Sequence, residues 1–135
     1  MQGKNHSILL VEDDEFMASL LRFLLERQGM QVVRVASGQA AVELMHGQAV
    51  HDAVVLDLML PQLGGLDVLQ HMKRLPGWSD LPVLVCSALD AGAEMARAFK
   101  AGAADYVTKP FNPEELMARL GRLLSVHRQE RERAV

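Results

Sequence analysis

The chain has 135 residues, half of them hydrophobic but only 4% aromatic, and a formal net charge of −3. This length is typical of one domain with a core of Leu, Val, Ala and Met. The acidic balance argues against nucleic-acid binding. No apolar run approaches the roughly 20 residues of a membrane span, and the N-terminus lacks the hydrophobic region of a signal peptide. The single cysteine, Cys86, excludes an internal disulfide, so a reducing, cytoplasmic setting is expected.

Taken in chain order, continuous apolar runs alternate with segments whose apolar residues recur at helical spacing. The first helical segment carries four leucines between positions 20 and 25, and Gly29 ends it at a position that favours a left-handed residue. The predicted elements are strands at 8–11, 31–35, 53–56, 83–86 and 106–109, and helices at 15–28, 38–45, 65–75, 91–101 and from 113 onward, the last with Asn112 as its N-cap.

Five successive strand–helix units predict an α/β fold: a single, doubly wound, five-stranded parallel sheet with five helices on its two faces. The strands support this prediction because runs such as 83–86 are continuously apolar instead of alternating. The carboxyl ends of parallel strands meet at one edge of a sheet, where open α/β sheets place their sites. The polar residues expected to share a cleft there are Glu12 and Asp13 after the first strand, Asp57 after the third, Ser87 after the fourth and Lys109 after the fifth.

Carboxylates crowded at a strand edge repel: unit charges about 4 Å apart cost about 1 kcal/mol in water and about 4 kcal/mol near a protein surface. A cation relieves that repulsion, and an all-oxygen ligand set favours a hard ion such as Mg2+. The plainer interpretation of residues 12–15 is a solvated acidic helix start. A carboxylate can also attack phosphorus to form an aspartyl phosphate, and Asp57 beside two other acids fits that role better than an ordinary turn cap. Lys109 offers a compact positive charge to a phosphoryl oxygen.

The strand-end motifs together resemble the receiver domain of bacterial two-component response regulators, over about residues 6–125. The resemblance implies a flavodoxin-like strand order of 2-1-3-4-5, which makes the first and third strands neighbours. It places the second strand at an edge, where we expect no chemical residue. It also implies phosphorylation of Asp57 by a sensor histidine kinase or a histidine phosphotransfer protein. The motifs that carry the resemblance are Val11-Glu12-Asp13-Asp14, Asp57 with Pro61 four residues on, Ser87-Ala88 and Lys109-Pro110-Phe111.

A magnesium site follows from the same resemblance. It implies Asp13, Asp57 and the backbone carbonyl of Met59 as the Mg2+ ligands, with Glu12 acting mainly through water. Asp57 is then both a ligand and the residue modified to an aspartyl phosphate.

The resemblance also implies roles for residues of the fourth and fifth strands. Lys109 pairs with Asp57 before phosphorylation and binds the phosphoryl group afterwards, aimed by a cis peptide bond to Pro110. Ser87 donates its hydroxyl to the phosphoryl group once that group is present. Tyr106 matches an aromatic switch position whose ring moves inward when the hydroxyl is recruited; the plainer expectation is half-burial on an edge strand.

Some positions depart from the family pattern. Leu60 replaces a frequent Met, and Gly64 replaces an acidic or Asn residue, which is expected to loosen that loop. Met59 and Leu89, two residues after Asp57 and Ser87, flank the path of an attacking water by resemblance. Both are apolar, so slow self-dephosphorylation is expected.

We expect a receiver domain over 1–126 and a charged helix extension or linker over 127–135. The domain is expected to be a signalling phosphoacceptor, without nucleic-acid or membrane contacts of its own. The fourth helix offers few large anchors, so its hold on the sheet should be weak. The face of the fourth helix, fifth strand and fifth helix is therefore expected to contact a second copy or an output domain.

Three alternatives use related architecture. A phosphohydrolase of the haloacid-dehalogenase type needs a second Asp two positions after the nucleophile, where this chain has Met59. A flavin-binding module needs a Gly- and hydroxyl-rich phosphate loop after the first strand, where residues 12–15 are all acidic. A receiver-like module that only binds partners would not need the complete set of site residues.

Overall fold

The computed structural model describes residues 6–88 and 92–133, and within them five strands and five helices alternate. None of these helices is both long enough and apolar enough to cross a membrane. In chain order the elements are β1 (Ser7–Val11), α1 (Glu15–Arg27), β2 (Gln31–Val35), α2 (Gly38–Met45), β3 (Ala53–Leu56), α3 (Gly65–Met72), β4 (Val83–Ser87), α4 (Gly92–Ala101), β5 (Asp105–Thr108) and α5 (Pro113–Arg133).

The strands form one parallel sheet in the order β2-β1-β3-β4-β5, which confirms the predicted order. The register aligns Val11 at the end of β1 with both Val35 of β2 and Leu56 of β3. At the other side of the sheet Ser87 lies opposite Thr108. The residues that follow these strands are therefore neighbours at one edge.

The core consists of two layers, one on each face of the sheet. Alternate residues of β1 divide between them: Leu9 and Val11 face α2, α3 and α4, while Ile8 and Leu10 face α1 and α5. Because both faces are covered, the three central strands β1, β3 and β4 are apolar over nearly their whole length, as the continuous runs predicted. Each fully buried Leu or Ile contributes roughly 1.5–3 kcal/mol relative to an exposed side chain.

Capping residues satisfy the backbone groups at three helix termini. Ser37 accepts a hydrogen bond from the Ala40 amide at 3.0 Å, and Asn112 accepts from the Glu114 amide at 2.8 Å. Gly29 takes the left-handed conformation, with φ at 85°, just after α1. The predicted positions of these three helix ends are therefore confirmed to within a residue.

Other boundaries differ from the predictions. α3 ends at Met72 and not at residue 75, because the next residues form tighter i→i−3 turns: the Arg74 amide donates to the His71 carbonyl and the Leu75 amide to the Met72 carbonyl, both at 3.1 Å. Lys73 Nζ donates to the Ser79 and Leu81 carbonyls at 3.1 and 3.3 Å. Trp78 anchors the connection that follows α3. Its ring is 1% exposed and its indole nitrogen donates to the Gly47 carbonyl at 3.0 Å. Trp78 is therefore a core residue.

Helices α4 and α5 belong to the face that is expected to contact a second copy or an output domain. Among the described residues of α4 only Ala98 is fully buried, in agreement with the weak anchoring expected for this helix; its predicted first residue, Ala91, lies outside the described residues. α5 runs without interruption across the boundary placed between 126 and 127, and His127 in its extension is buried. The division into 1–126 and 127–135 stays a prediction.

Candidate functional site

An acidic cluster lies at the carboxyl edge of the sheet. Glu12 and Asp13 follow β1, Asp57 follows β3, and one carboxylate oxygen from each lies within 4.8 Å of the others. Glu12 and Asp57 are buried, whereas Asp13 is exposed. The paired register of β1 and β3 places the two strand ends side by side, because residue 11 of one lies opposite residue 56 of the other.

A single ammonium group binds two members of this cluster. Lys109 Nζ donates to Glu12 Oε1 at 2.8 Å and to Asp57 Oδ2 at 3.2 Å. The Lys109 amide donates to the Ser87 carbonyl at 2.9 Å, and the peptide bond to Pro110 is cis, as the resemblance implied. The side chain of Lys109 is only 15% exposed, so this is an ion pair largely removed from water.

The pKa values of Glu12 and Lys109 follow from their burial and from this sharing of charge. Burial raises the pKa of Glu12; the Lys109 hydrogen bond opposes that rise and the nearby charge of Asp57 adds to it. Burial alone would lower the pKa of Lys109, but the Glu12 hydrogen bond and the Asp57 charge outweigh it and raise the value. The pKa values of Glu12 and Lys109 can both be raised because the charges are unequal. The Lys109 ammonium faces two carboxylates, whereas Glu12 shares that one ammonium with Asp57.

Both oxygens of Asp57 are held in place. Oδ1 accepts a hydrogen bond from the Met59 amide at 2.9 Å, and Oδ2 accepts from Lys109. The Met59 side chain points to solvent and is 54% exposed. Leu89, the other residue expected to flank a water path, lies outside the described residues.

Ser87 and Tyr106 lie on the adjacent strands β4 and β5. Ser87 is fully buried at the last position of β4, at the same sheet edge as the acidic cluster. Tyr106 is 6% exposed, so its ring is buried and not half-exposed on the edge strand. Cys86 precedes Ser87, and burial raises the pKa of its thiol to about 12. The thiol therefore stays protonated near neutral pH, as expected for an inert core residue.

Arg34 on β2 also reaches the acidic segment, which the sequence did not lead us to expect. Its Nε donates to the Glu12 backbone carbonyl at 2.9 Å, and its Nη1 donates to Glu15 at 3.2 Å. The expectation that the edge strand carries no chemical residue therefore overlooked this arginine. The available signal was a lone cation within the run of valines in β2.

Gly65 holds the loop after Asp57 close to the sheet. A Cβ at Gly65 would lie 2.6 Å from the Leu58 Cα and would also press on the Asp57 carbonyl oxygen. We expect Gly65→Ala to destabilise the fold by about 1–3 kcal/mol through overpacking, measured by urea unfolding. Gly64→Ala is the matched control, because the nearest atoms there are 3.8 Å away and φ is −75°. Equal unfolding midpoints for the two variants would contradict this account.

Comparison with known proteins agrees with this geometry. The family model for the response regulator receiver domain matches residues 8–121. The sensory transduction protein RegX3 of Mycobacterium tuberculosis is 41% identical over 118 residues, which are 87% of this chain and 50% of RegX3. The chain spans about half the length of the curated relatives that it matches.

Two solved structures are similar in fold. A putative response regulator from Chloroflexus aurantiacus shares 34% identity and a TM-score of 0.84, covering 90% of this chain and 99% of that one. The receiver domain of the sensor histidine kinase PA1611 from Pseudomonas aeruginosa has a magnesium ion coordinated in its active-site cleft. It shares 29% identity and a TM-score of 0.82, covering 89% of this chain and 98% of that one.

A doubly wound parallel sheet with an acidic cluster and a lysine at its carboxyl edge defines the class of the protein. The chain belongs to the receiver-domain family of two-component response regulators, and its role is in phosphorelay signalling. A haloacid-dehalogenase-type hydrolase and a flavin-binding module are thereby set aside as alternatives.

Proposed function

We propose that Asp57 accepts a phosphoryl group and that this modification changes a protein-interaction face. The observation that carries the proposal is the buried carboxylate of Asp57, held by the Met59 amide on one oxygen and by Lys109 on the other. Nucleophilic carboxylates form acyl phosphates when the developing charge is neutralised, and Lys109 supplies a positive charge at the required place.

The donor set fits Mg2+. Glu12, Asp13 and Asp57 offer only oxygen, within reach of one ion, and Asp13 is exposed so that bound waters can be retained. We propose that Asp13, Asp57 and the backbone carbonyl of Met59 hold the ion, with Glu12 acting through water. When bound, the ion neutralises negative charge on the phosphoryl oxygens.

The residues of the chain then carry the transfer. A carboxylate oxygen of Asp57 forms the new bond to phosphorus as the bond from phosphorus to the imidazole nitrogen of a phosphohistidine breaks, and the electron pair stays on that nitrogen. Lys109 moves from its shared position onto a phosphoryl oxygen. Ser87, at the end of the neighbouring strand, donates its hydroxyl to another phosphoryl oxygen.

The partner classes follow from this reaction. The phosphodonor is a sensor histidine kinase or a histidine phosphotransfer protein, in the cytoplasm. Since the matched relatives are about twice as long as this chain, an output domain or a second copy is the proposed receiver of the signal. The proposed contact face is α4, β5 and α5, and residues 127–135 are proposed to lead from the domain at 1–126 toward an output domain. Arg119 of α5 binds Asp105 of β5 at 2.9 Å, which joins two of these elements.

The proposal is tested by incubating the chain with a small phosphodonor, with and without Mg2+, and measuring the intact mass. A gain of one phosphoryl group that requires Mg2+ is expected. No gain under either condition would contradict the proposal.

The lifetime of the phosphoryl group provides a second test. Met59 is exposed beside Asp57 and has no polar group with which to position an attacking water. We expect Met59→Asn and Met59→Glu to lose the phosphoryl group several-fold faster than the wild type, measured by the decay of the phosphorylated mass. Equal decay rates in all three proteins would remove this role of Met59.

The switch is tested by amide exchange with and without a phosphoryl mimic and Mg2+. α4 has few buried anchors, and such segments belong to the low-stability end of a structure, where switching elements are found. We expect recruitment of Ser87 to shift Tyr106, α4 and β5, so protection should change across residues 88–110. If protection changed only around Asp57, phosphorylation would not be coupled to α4 and β5.

A further inference from the structure

We infer that Arg34 is a positioning residue for the cation site, acting through the backbone of the loop that bears Asp13. The inference rests on the proposed Mg2+ site. Arg34 lies on the edge strand β2, and its side chain is only 17% exposed. Nε donates to the carbonyl of Glu12, which is the residue directly before Asp13.

The Glu12 peptide groups are held from β2 on both sides. The Glu12 amide donates to the Val35 carbonyl at 3.2 Å, and the Glu12 carbonyl accepts from Arg34 at 2.9 Å. Glu15, at the start of α1, accepts from the other arm of the same guanidinium at 3.2 Å. The segment 12–15 is therefore fastened at its two ends, with Asp13 between them.

Asp13 depends on this fastening because its own side chain is exposed. Glu12 is held by Lys109 and Asp57 by the Met59 amide, so these two carboxylates keep their places without Arg34. Residues that orient ligands in this way commonly affect metal affinity about 10–100-fold. A planar guanidinium can serve the Glu12 carbonyl and Glu15 together, which an ammonium group cannot do with the same geometry.

A positioning role and a purely electrostatic role of Arg34 predict opposite changes in Mg2+ affinity when its charge is removed. A positive charge near the acidic cluster repels a divalent cation, so removing that charge by itself would tighten Mg2+ binding. Loss of the hydrogen bonds would instead release the loop and weaken binding. The sign of the change in affinity for a neutral variant therefore separates the two roles.

The experiment is an Mg2+ titration of the chain followed by the amide NMR signals of residues 12–15 and 57–59. We expect Arg34→Gln to bind Mg2+ roughly tenfold more weakly than the wild type, the low end of the range for ligand-orienting residues. Arg34→Lys keeps the charge and should recover part of the affinity but not all of it. Arg22→Gln is the matched control, an arginine on α1 paired with Glu26, and should bind as the wild type does.

Tighter or unchanged binding by Arg34→Gln would overturn the inference, as would wild-type affinity for Arg34→Lys, because the fork geometry would then be unnecessary. If Arg34→Gln does not fold, judged by the dispersion of its amide signals, the lysine variant decides the question. A wild-type chain that does not bind Mg2+ contradicts the proposed metal site itself. If the wild type binds Mg2+ and both Arg34 variants bind it with the same affinity, only the role of Arg34 is contradicted.

Discussion

Replacing Asp57 with asparagine is expected to abolish the Mg2+-dependent gain of one phosphoryl group. The amide has nearly the same shape, so it can still accept the hydrogen bonds from the Met59 amide or from Lys109. It lacks the negative charge and the nucleophilic oxygen that attack on phosphorus requires. No phosphorylated mass should be detectable in this variant. The other two acids of the cluster, Glu12 and Asp13, follow β1 and are proposed to act on the metal ion and not as nucleophiles.

The matched control is Asp67→Asn, the same change at an exposed position in the first turn of α3. This variant should gain the phosphoryl group at the wild-type rate, since Asp67 does not belong to the acidic cluster. Intact mass after incubation with a small phosphodonor measures both variants. An undiminished gain in Asp57→Asn would show that the phosphoryl group enters elsewhere, and peptide mapping would then locate it.

Replacing Lys109 with methionine is expected to lower the free energy of unfolding by about 3 kcal/mol near neutral pH. Breaking a buried ion pair from one side commonly costs about 3–5 kcal/mol, and the low end applies because water has some access to Lys109. The variant leaves Glu12 and Asp57 buried, close together and without their shared ammonium. Mg2+ should restore part of the loss, because a ligand of the folded state stabilises it by mass action.

The pH dependence of this loss has a definite sign. The raised pKa of Glu12 means that its contribution to stability is present below the unfolded value of 4.5 and is lost as the pH rises through the folded value. Removing Lys109 takes away a hydrogen bond that lowers this pKa, so the Lys109→Met variant should recover stability on acidification. The raised pKa of Lys109 gives the wild type stability that is present below 10.5 and is lost as the pH rises through the folded value. The difference in free energy of unfolding between the wild type and Lys109→Met should therefore be largest at pH values above the range in which Glu12 titrates and below 10.5.

Urea unfolding of wild type and Lys109→Met at several pH values measures this difference. Lys100→Met is the control, because Lys100 is an exposed lysine on α4, and such surface changes stay within about 0.5 kcal/mol. A loss in Lys109→Met that does not shrink in acid would show that the side chain contributes packing and not charge.

Most of the architecture could be read from local patterns in the chain. Continuous apolar runs that alternate with helical segments indicate strands buried on both faces, as in a parallel sheet covered by helices. Gly29, Ser37 and Asn112 mark helix ends because each meets a local backbone requirement there. The polar residues after the strands could be assigned to one edge for the same reason, because that conclusion needs only parallel strands and their direction.

Only the tertiary structure shows which side chains that are distant in sequence form hydrogen bonds with the same group. Lys109 binds Glu12, 97 residues away, and Asp57, 52 residues away, and no local pattern specifies that one ammonium serves both. Arg34 reaches the Glu12 carbonyl because β2 pairs with β1 in a particular register, which its own neighbours in the chain do not encode. Likewise, the Lys73 ammonium group donates to the Ser79 and Leu81 carbonyls of the connection that follows α3, and Trp78 of that connection is buried. Local patterns determine which elements form and where capped helices begin or end, whereas strand register and long-range hydrogen bonds determine which charges meet.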